Sequence, residues 1–428
     1  MAHENYIVVI DLGTSHLVGM VGVKSAQGTL SILAEEVEPS ASCIRRGCVY
    51  NEVETANRIN RLISKLQNKL DGKLPSDFSI EKAYIGVGGQ SLRTYKHVEV
   101  KIINTDSVVS EEDILLLDKQ CRTFKPDMLD VLGISSPVYY ADNTLTDNPV
   151  GISCKRIEAH YRLIVGKPAI RNNIINSVNR TKIKLVGIIV SPLALADAIF
   201  SRNEKELGCV LIEFGAGVTS VVVYKQNELI HMAVIPLGGN LITKDLKSLR
   251  LLDSEAEQLK IKYGSAVLKK NNESADSFED RDGIGLHEIN IVIEARTKEI
   301  VENVYAQVKS TGEMDALGKI VLAGGASALK NLQELVRERF NKEVSFSTIR
   351  KEWMKENDER IGNTRYMTAI GILIKGTENC IHIPTPIASP VKDEEGKKEE
   401  KKKKKKKEGE SEGGNIFEKL LKELLAQD

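Results

Sequence analysis

Two stretches of this chain, 202 positions apart at Asp11 and Glu213, share a layout that few folds accommodate. Tyr6-Ile-Val-Val-Ile-Asp11 is an apolar run that ends on an acid and enters Leu12-Gly13-Thr14-Ser15. Cys209-Val-Leu-Ile-Glu213 ends the same way and enters Phe214-Gly215-Ala216-Gly217-Val218-Thr219-Ser220. Short apolar runs bounded by turn residues predict strands. Two more strands follow each: residues 17–24 and 29–36 about a Gln27-Gly28 turn, then one through Tyr224 and one through Pro236 about a Gln226-Asn227 turn. The chain therefore carries two three-stranded meanders, each with an acid-x-Gly corner next to hydroxyl residues.

The chemistry of that corner is specific. A carboxylate such as Asp11 or Glu213 can hold a hydrated magnesium ion, the glycine lets backbone N–H groups approach a phosphate, and Thr14 or Ser15 can donate to its oxygens. One such corner is an ordinary turn; two of them imply related lobes gripping one polyphosphate. A third element, Lys319-Ile-Val-Leu-Ala323, leads into Gly324-Gly325-Ala326-Ser327 and a helical pattern over 329–340. Its glycines would let a flat base lie against the backbone.

Lys+Arg and Asp+Glu are both 60, so net charge gives no reason to expect a nucleic-acid partner. The six cysteines (Cys43, Cys48, Cys121, Cys154, Cys209 and Cys380) lack C-x-x-C spacing, which fits reduced thiols and no zinc site. The first residues carry no basic, apolar leader, and the most apolar stretch, 185–200, is broken by Pro192 and Asp197, so no membrane span is expected.

Composition changes at Pro384. Residues 384–414, with Lys401 through Lys407, lack the apolar surface to offset chain entropy and read as a disordered linker. From Asn415 the pattern becomes helical again: Ile416, Phe417, Leu420, Leu421, Leu424 and Leu425 share one half of the wheel, with charges on the other half. A helix this short is marginal alone in water and needs a surface. Its slack tether and upstream lysines favour an anionic membrane surface over its own core or a protein groove.

Together these motifs resemble the two phosphate loops and the adenosine loop of the actin, hexokinase and heat-shock-chaperone ATPase superfamily. Within it the chain resembles the bacterial cell-division FtsA family. Ser254-Glu-Ala-Glu-Gln-Leu-Lys-Ile-Lys-Tyr-Gly264, Ile291 through Ile300 and the linker with its terminal helix carry that likeness too. The resemblance implies an α/β, duplicated RNase-H-like two-lobed fold. It places the first lobe at 1–80, 169–200 and 351–383, and the second at 201–237 and 313–350. An inserted interaction subdomain would occupy 81–168 and an outer subdomain 238–312; the linker and helix follow at 384–414 and 415–428.

The resemblance further implies ATP and Mg as cofactors, held by Asp11, Gly13, Thr14, Ser15, Glu213, Gly215, Ala216, Gly217, Thr219, Gly238, Gly324, Gly325 and Ala326. Glu257 and Lys260, three apart on a predicted helix, would meet the ribose or base, or form only a surface ion pair. Helices over 191–200 and 366–375 would cross between the lobes as a hinge. Gly86, Gly88 and Gly89 read as an ordinary turn. Implied partners are the FtsZ C-terminal tail, with Arg296 or Lys298 facing it, further copies of the chain in a polymer, later division proteins on the insertion, and the inner face of the cytoplasmic membrane. The family has Asp where Glu213 stands, so weak or absent hydrolysis is expected. The alternative is a PilM-like ATP-binding protein of a pilus or secretion assembly.

Overall fold

The computed structural model describes residues 5–384, apart from 26–27, 41–42, 76, 105–107, 269–284 and 355–357. The expected linker and terminal helix, with Ile416, Phe417, Leu420, Leu421, Leu424 and Leu425, lie outside the described residues.

The chain opens with β1 (Tyr6–Leu12), β2 (His16–Lys24) and β3 (Leu30–Pro39), crosses through α1 (Glu52–Leu70), and returns as β4 (Lys82–Val87). It leaves this sheet for β5 (Arg93–Ile102) and β6 (Arg156–Gly166), then re-enters through α2 (Pro168–Asn179) and β7 (Lys184–Val190). The first sheet has the order β7-β4-β1-β2-β3, antiparallel in the meander and parallel across β1, β4 and β7.

Helix α3 (Ser191–Ile199) leads to the second lobe, where β8 (Cys209–Phe214), β9 (Thr219–Lys225) and β10 (Glu228–Ile235) form the second meander. Helices α4 (Gly239–Leu246), α5 (Asp253–Tyr263) and α6 (Leu286–Lys309) precede β11 (Lys319–Ala323), α7 (Leu332–Phe340) and β12 (Glu343–Phe346). Here the order is β10-β9-β8-β11-β12, with the same strand senses as in the first lobe. The repeat read from two corners is thus a repeat of five strands in the same order, a whole sheet in the first lobe and half of a ten-stranded sheet in the second. Both first strands are buried on two faces, which is why they read as apolar runs without alternation.

Helix α8 (Met367–Lys375) packs on α3, and a side chain at Gly371 would fall 2.7 Å from the Ala194 carbonyl, so the two backbones cross in contact. Asp197 on α3 is held by Lys205 and Lys375, tying the crossing helices to the start of the second lobe.

Two expectations need correction. The insertion does not begin at 81: residues 82–87 form β4, whose Ala83, Tyr84, Ile85 and Val87 are buried in the first sheet. The helical pattern over 329–340 starts late as well, because Asn331 takes a left-handed conformation (φ 62) and α7 begins only at Leu332. The inserted part has its own apolar core around Ile157, Tyr161 and Leu163, and Ser110 caps its helix Glu111–Thr123 in a reciprocal box with Asp113. Its sheet also reaches the second lobe: Arg93 of β5 pairs with Ala233 of β10, and the Val234 N–H donates to the Leu92 carbonyl at 3.0 Å.

Candidate functional site

All three glycine turns open onto one cleft of about 660 Å³. Strand geometry puts them there. Asp11 and Glu213 each stand next to last in the first strand of their sheet, so both acids reach the same end of their lobe. Asp11 Oδ1 accepts a hydrogen bond from the Ser191 hydroxyl at 2.8 Å, and Glu213 Oε1 accepts one from Thr368 at 2.9 Å. The two donors begin the crossing helices, so each carboxylate is fixed by the element that joins the lobes.

Removal from water pushes the Asp11 carboxyl from 3.8 up to about 6, against the lowering effect of Ser191. Burial and then the charge of Asp11 push Glu213 from 4.5 up to about 7. Two buried acids, one of them raised further by the charge of the other, are a poor resting arrangement and a good one for a bound cation.

The loops after each acid make the walls. A side chain at Gly13 would lie 2.6 Å from the His16 carbonyl, and one at Gly217 would lie 2.5 Å from Thr14 Oγ1. The tips of the two loops therefore touch, and only glycine fits the second. Thr14 Oγ1 accepts from the Gly47 N–H at 2.9 Å, which leaves its own proton free to donate. Ser15 Oγ lies 2.8 Å from His16 Nδ1 at the exposed edge. Ala216 lines the cleft, and its carbonyl accepts from the Asn240 N–H at 2.8 Å, while Gly215 accepts from Gly239 at 3.0 Å. Gly238 lies behind the loop, where a Cβ would come within 2.7 Å of the Gly215 and Ala216 carbonyls. It supports the wall and does not line the cleft.

Thr219 is a correction among the expected hydroxyls. It is fully buried and donates to the Leu237 carbonyl at 2.8 Å, whereas Ser220 faces the cleft. Alternation along β9 decides this, since successive side chains point to opposite faces. Gly86 is not a turn residue either; it sits in β4 beside Asp11, where a Cβ would fall 2.8 Å from Oδ1. Sequence reading also missed Ser191, Thr368 and Arg365, which reach the cleft from the crossing segments.

At the other end, Gly324 takes φ +83 with the Phe214 backbone against it, a conformation and a closeness that require glycine. Gly325 has open space around it, and Ala326 completes that wall. Glu257 and Lys260 both line the cleft from α5. Lys260 Nζ lies 2.6 Å from Glu257, 2.9 Å from Thr243 Oγ1 and 3.2 Å from the Gly239 carbonyl, which joins α5 to the start of α4. The pair is a built part of the cleft wall.

Arg296 and Lys298 lie elsewhere, on α6. Arg296 is taken up by Asp245 and Glu299, and Lys298 pairs with Glu294 at 3.0 Å while remaining 56% exposed. Among the described residues no cluster of three or more metal-ligand side chains occurs. The carboxylate pair and the glycine cradle do fit a hydrated cation carried on a polyphosphate, held through water.

Comparison with known proteins decides the family. A curated cell division protein FtsA from Porphyromonas gingivalis is 32% identical over 93% of this chain and 84% of its own length. The chain belongs to the FtsA family. The family model for "Cell division protein FtsA" matches residues 210–371, which hold the second phosphate-type loop, the third glycine turn and α5. The FtsA of Neisseria meningitidis is 30% identical over 92% of this chain and 95% of its own length. Solved structures show that this chain has the actin-like fold. A chain of a PilM-PilN type IV pilus biogenesis complex superposes with a TM-score of 0.61 at 13% identity, over 87% of this chain and 98% of its own. MreB5 of Spiroplasma citri bound to ADP superposes with a TM-score of 0.50 at 13% identity, over 86% and 95%.

Proposed function

We propose that this FtsA-family chain is an ATP-binding protein that self-assembles on the inner face of the cytoplasmic membrane and tethers the FtsZ ring there during division. The observation that carries the ATP reading is the meeting of Asp11, Glu213 and three glycine turns on one cleft between repeated sheets. In that reading Gly13, Thr14, Ser15, Gly215, Ala216 and Gly217 take the phosphates, and Asp11 and Glu213 hold Mg through water. Gly324, Gly325, Ala326, Glu257 and Lys260 take the nucleoside, as the ADP-bound neighbour of the same fold supports. Glu213 sets its carboxylate one methylene beyond where Asp would, and Thr368 holds it, so turnover is slow and ATP acts mainly by closing the cleft.

Two outward surfaces complete the tether. Val98, Val100 and Ile102 stand exposed on one face of β5 and offer the insertion an apolar surface for later division proteins. Of the two expected cations Lys298, 56% exposed though paired with Glu294, is the better candidate for the acidic FtsZ tail, because Arg296 is committed to two carboxylates. Lipid docking would come from Ile416, Phe417, Leu420, Leu421, Leu424 and Leu425.

The test is co-sedimentation with anionic liposomes of the intact chain and of a version ending at Gly414, with and without ATP. Loss of pelleting in the shorter chain is expected; equal pelleting would remove the anchor. Addition of an FtsZ tail peptide to the intact chain, with Lys298→Glu as the control, tests the tether.

A further inference from the structure

A second cavity of about 340 Å³ lies against the outer side of the two phosphate-type loops. It shares Thr14, Ala216, Gly217 and Asn240 with the cleft but is also lined by Arg45 and Arg46, which the cleft is not. The shared wall is the contact of Thr14 with Gly217.

The arginines are set there by a locked hairpin. Two-residue strands Ile44–Arg45 and Cys48–Val49 pair through an Arg46-Gly47 turn in which both residues have positive φ (49 and 68). The Gly47 N–H is bound to Thr14 Oγ1, the Gln90 N–H donates to the Arg46 carbonyl at 2.9 Å, and a side chain at Gly47 would strike the Gly88 carbonyl. The hairpin therefore moves with the first phosphate-type loop.

Both guanidinium groups are held by neutral partners. Arg45 Cζ stands 3.5 Å over the Tyr50 ring, and Arg46 Nη1 donates to Gln90 Oε1 at 3.4 Å. Among the described residues neither forms an ion pair with a carboxylate. A ring and an amide orient a guanidinium without neutralising it, so two fixed positive charges remain for an anion.

We propose that this cavity is a subsite for a small tetrahedral oxyanion of the orthophosphate class, beside the nucleotide cleft. Planar arginine forks match such oxygens, and the cavity is about half the volume of the neighbouring cleft. Arg45 and Arg46 line this cavity and not the cleft, whereas Thr14, Ala216 and Gly217 line both, so the inference rests on the ATP reading of those loops and the Arg45 variant tells the two apart.

The experiment titrates inorganic phosphate into the full chain saturated with AMPPNP and magnesium, by calorimetry and phosphorus NMR line broadening, with chloride as the control for ionic strength. Saturable phosphate uptake is expected, weakened about tenfold in Arg45→Gln, consistent with loss of one charge-assisted contact. AMPPNP affinity stays within about twofold, since Arg45 does not line the cleft. Arg45 is exposed, so this variant folds even if Arg46→Gln, in its left-handed turn, does not. The proposal is overturned by absence of saturable uptake, by unchanged uptake in Arg45→Gln, or by complete displacement with AMPPNP, which would assign the phosphate to the cleft. Failure of the ATP reading would show instead as absence of AMPPNP binding.

Discussion

The Thr368 hydroxyl donates to Oε1 of Glu213 at 2.9 Å, joining the helix that returns to the first lobe to the first strand of the second. This bond stabilises the charged form of an acid that burial and Asp11 both disfavour, and the balance leaves Glu213 near neutrality at about 7. The folded chain without ligand thus carries a strained pair of carboxyls.

A pH dependence follows. A carboxyl whose folded pKa lies above its unfolded value binds its proton more tightly when folded, so the stability it contributes is present at low pH and is lost as pH rises. For Glu213 the loss runs from 4.5 to about 7, and for Asp11 from 3.8 to about 6. Glu213→Gln is expected to remove much of the fall and to stabilise the ligand-free chain at pH 8 by on the order of 2 kcal/mol. Urea midpoints of both chains between pH 5 and 8 measure this; parallel curves would refute it.

Gly217 allows the second loop to touch Thr14. Gly217→Val is expected to force the loop tips apart and cut ATP affinity by more than about a hundredfold while costing little stability at this open edge. Equilibrium binding of a fluorescent ATP analogue beside a thermal melt separates the two effects. Retained affinity would mean that the loops do not grip the phosphates together.

Lys260 joins Glu257 to the start of α4. Lys260→Ala is expected to weaken nucleotide binding about tenfold and to lower affinity for ATP and ADP alike, because the contact lies at the nucleoside end. A loss confined to ATP would move Lys260 to the phosphates.

Gly371 lets α8 cross α3 at backbone contact. Gly371→Leu is expected to cost about 2 kcal/mol or more by overpacking and to abolish the ATP-dependent change in protease sensitivity. A stable variant that still responds to ATP would remove the crossing from the hinge.

The twin acids, their glycine corners and the three-stranded meanders were legible in sequence because a strand buried on two faces and a Gly turn leave strong local marks, as at Tyr6 through Gly13. The parallel neighbours are harder to read: Lys82–Val87 lies beside β1, yet the sequence between them holds α1 and no local pattern links the two. Thr219 and Ser220 look alike in sequence, and the pleat alone chose between them.

The sequence by itself determined that this chain has two related lobes with an acid-x-Gly corner each, and that a charged tract and an apolar-faced terminal segment follow them. Those are properties of residues close along the chain. Only the tertiary structure decided that Ser191 and Thr368 hold the acids, that Thr14 touches Gly217, and that Arg45 and Arg46 face a second cavity behind the loops. Such pairs lie about 30 to 200 residues apart, and no local pattern records them; they arise when sheets of the same order dock on crossing helices and their strand ends converge.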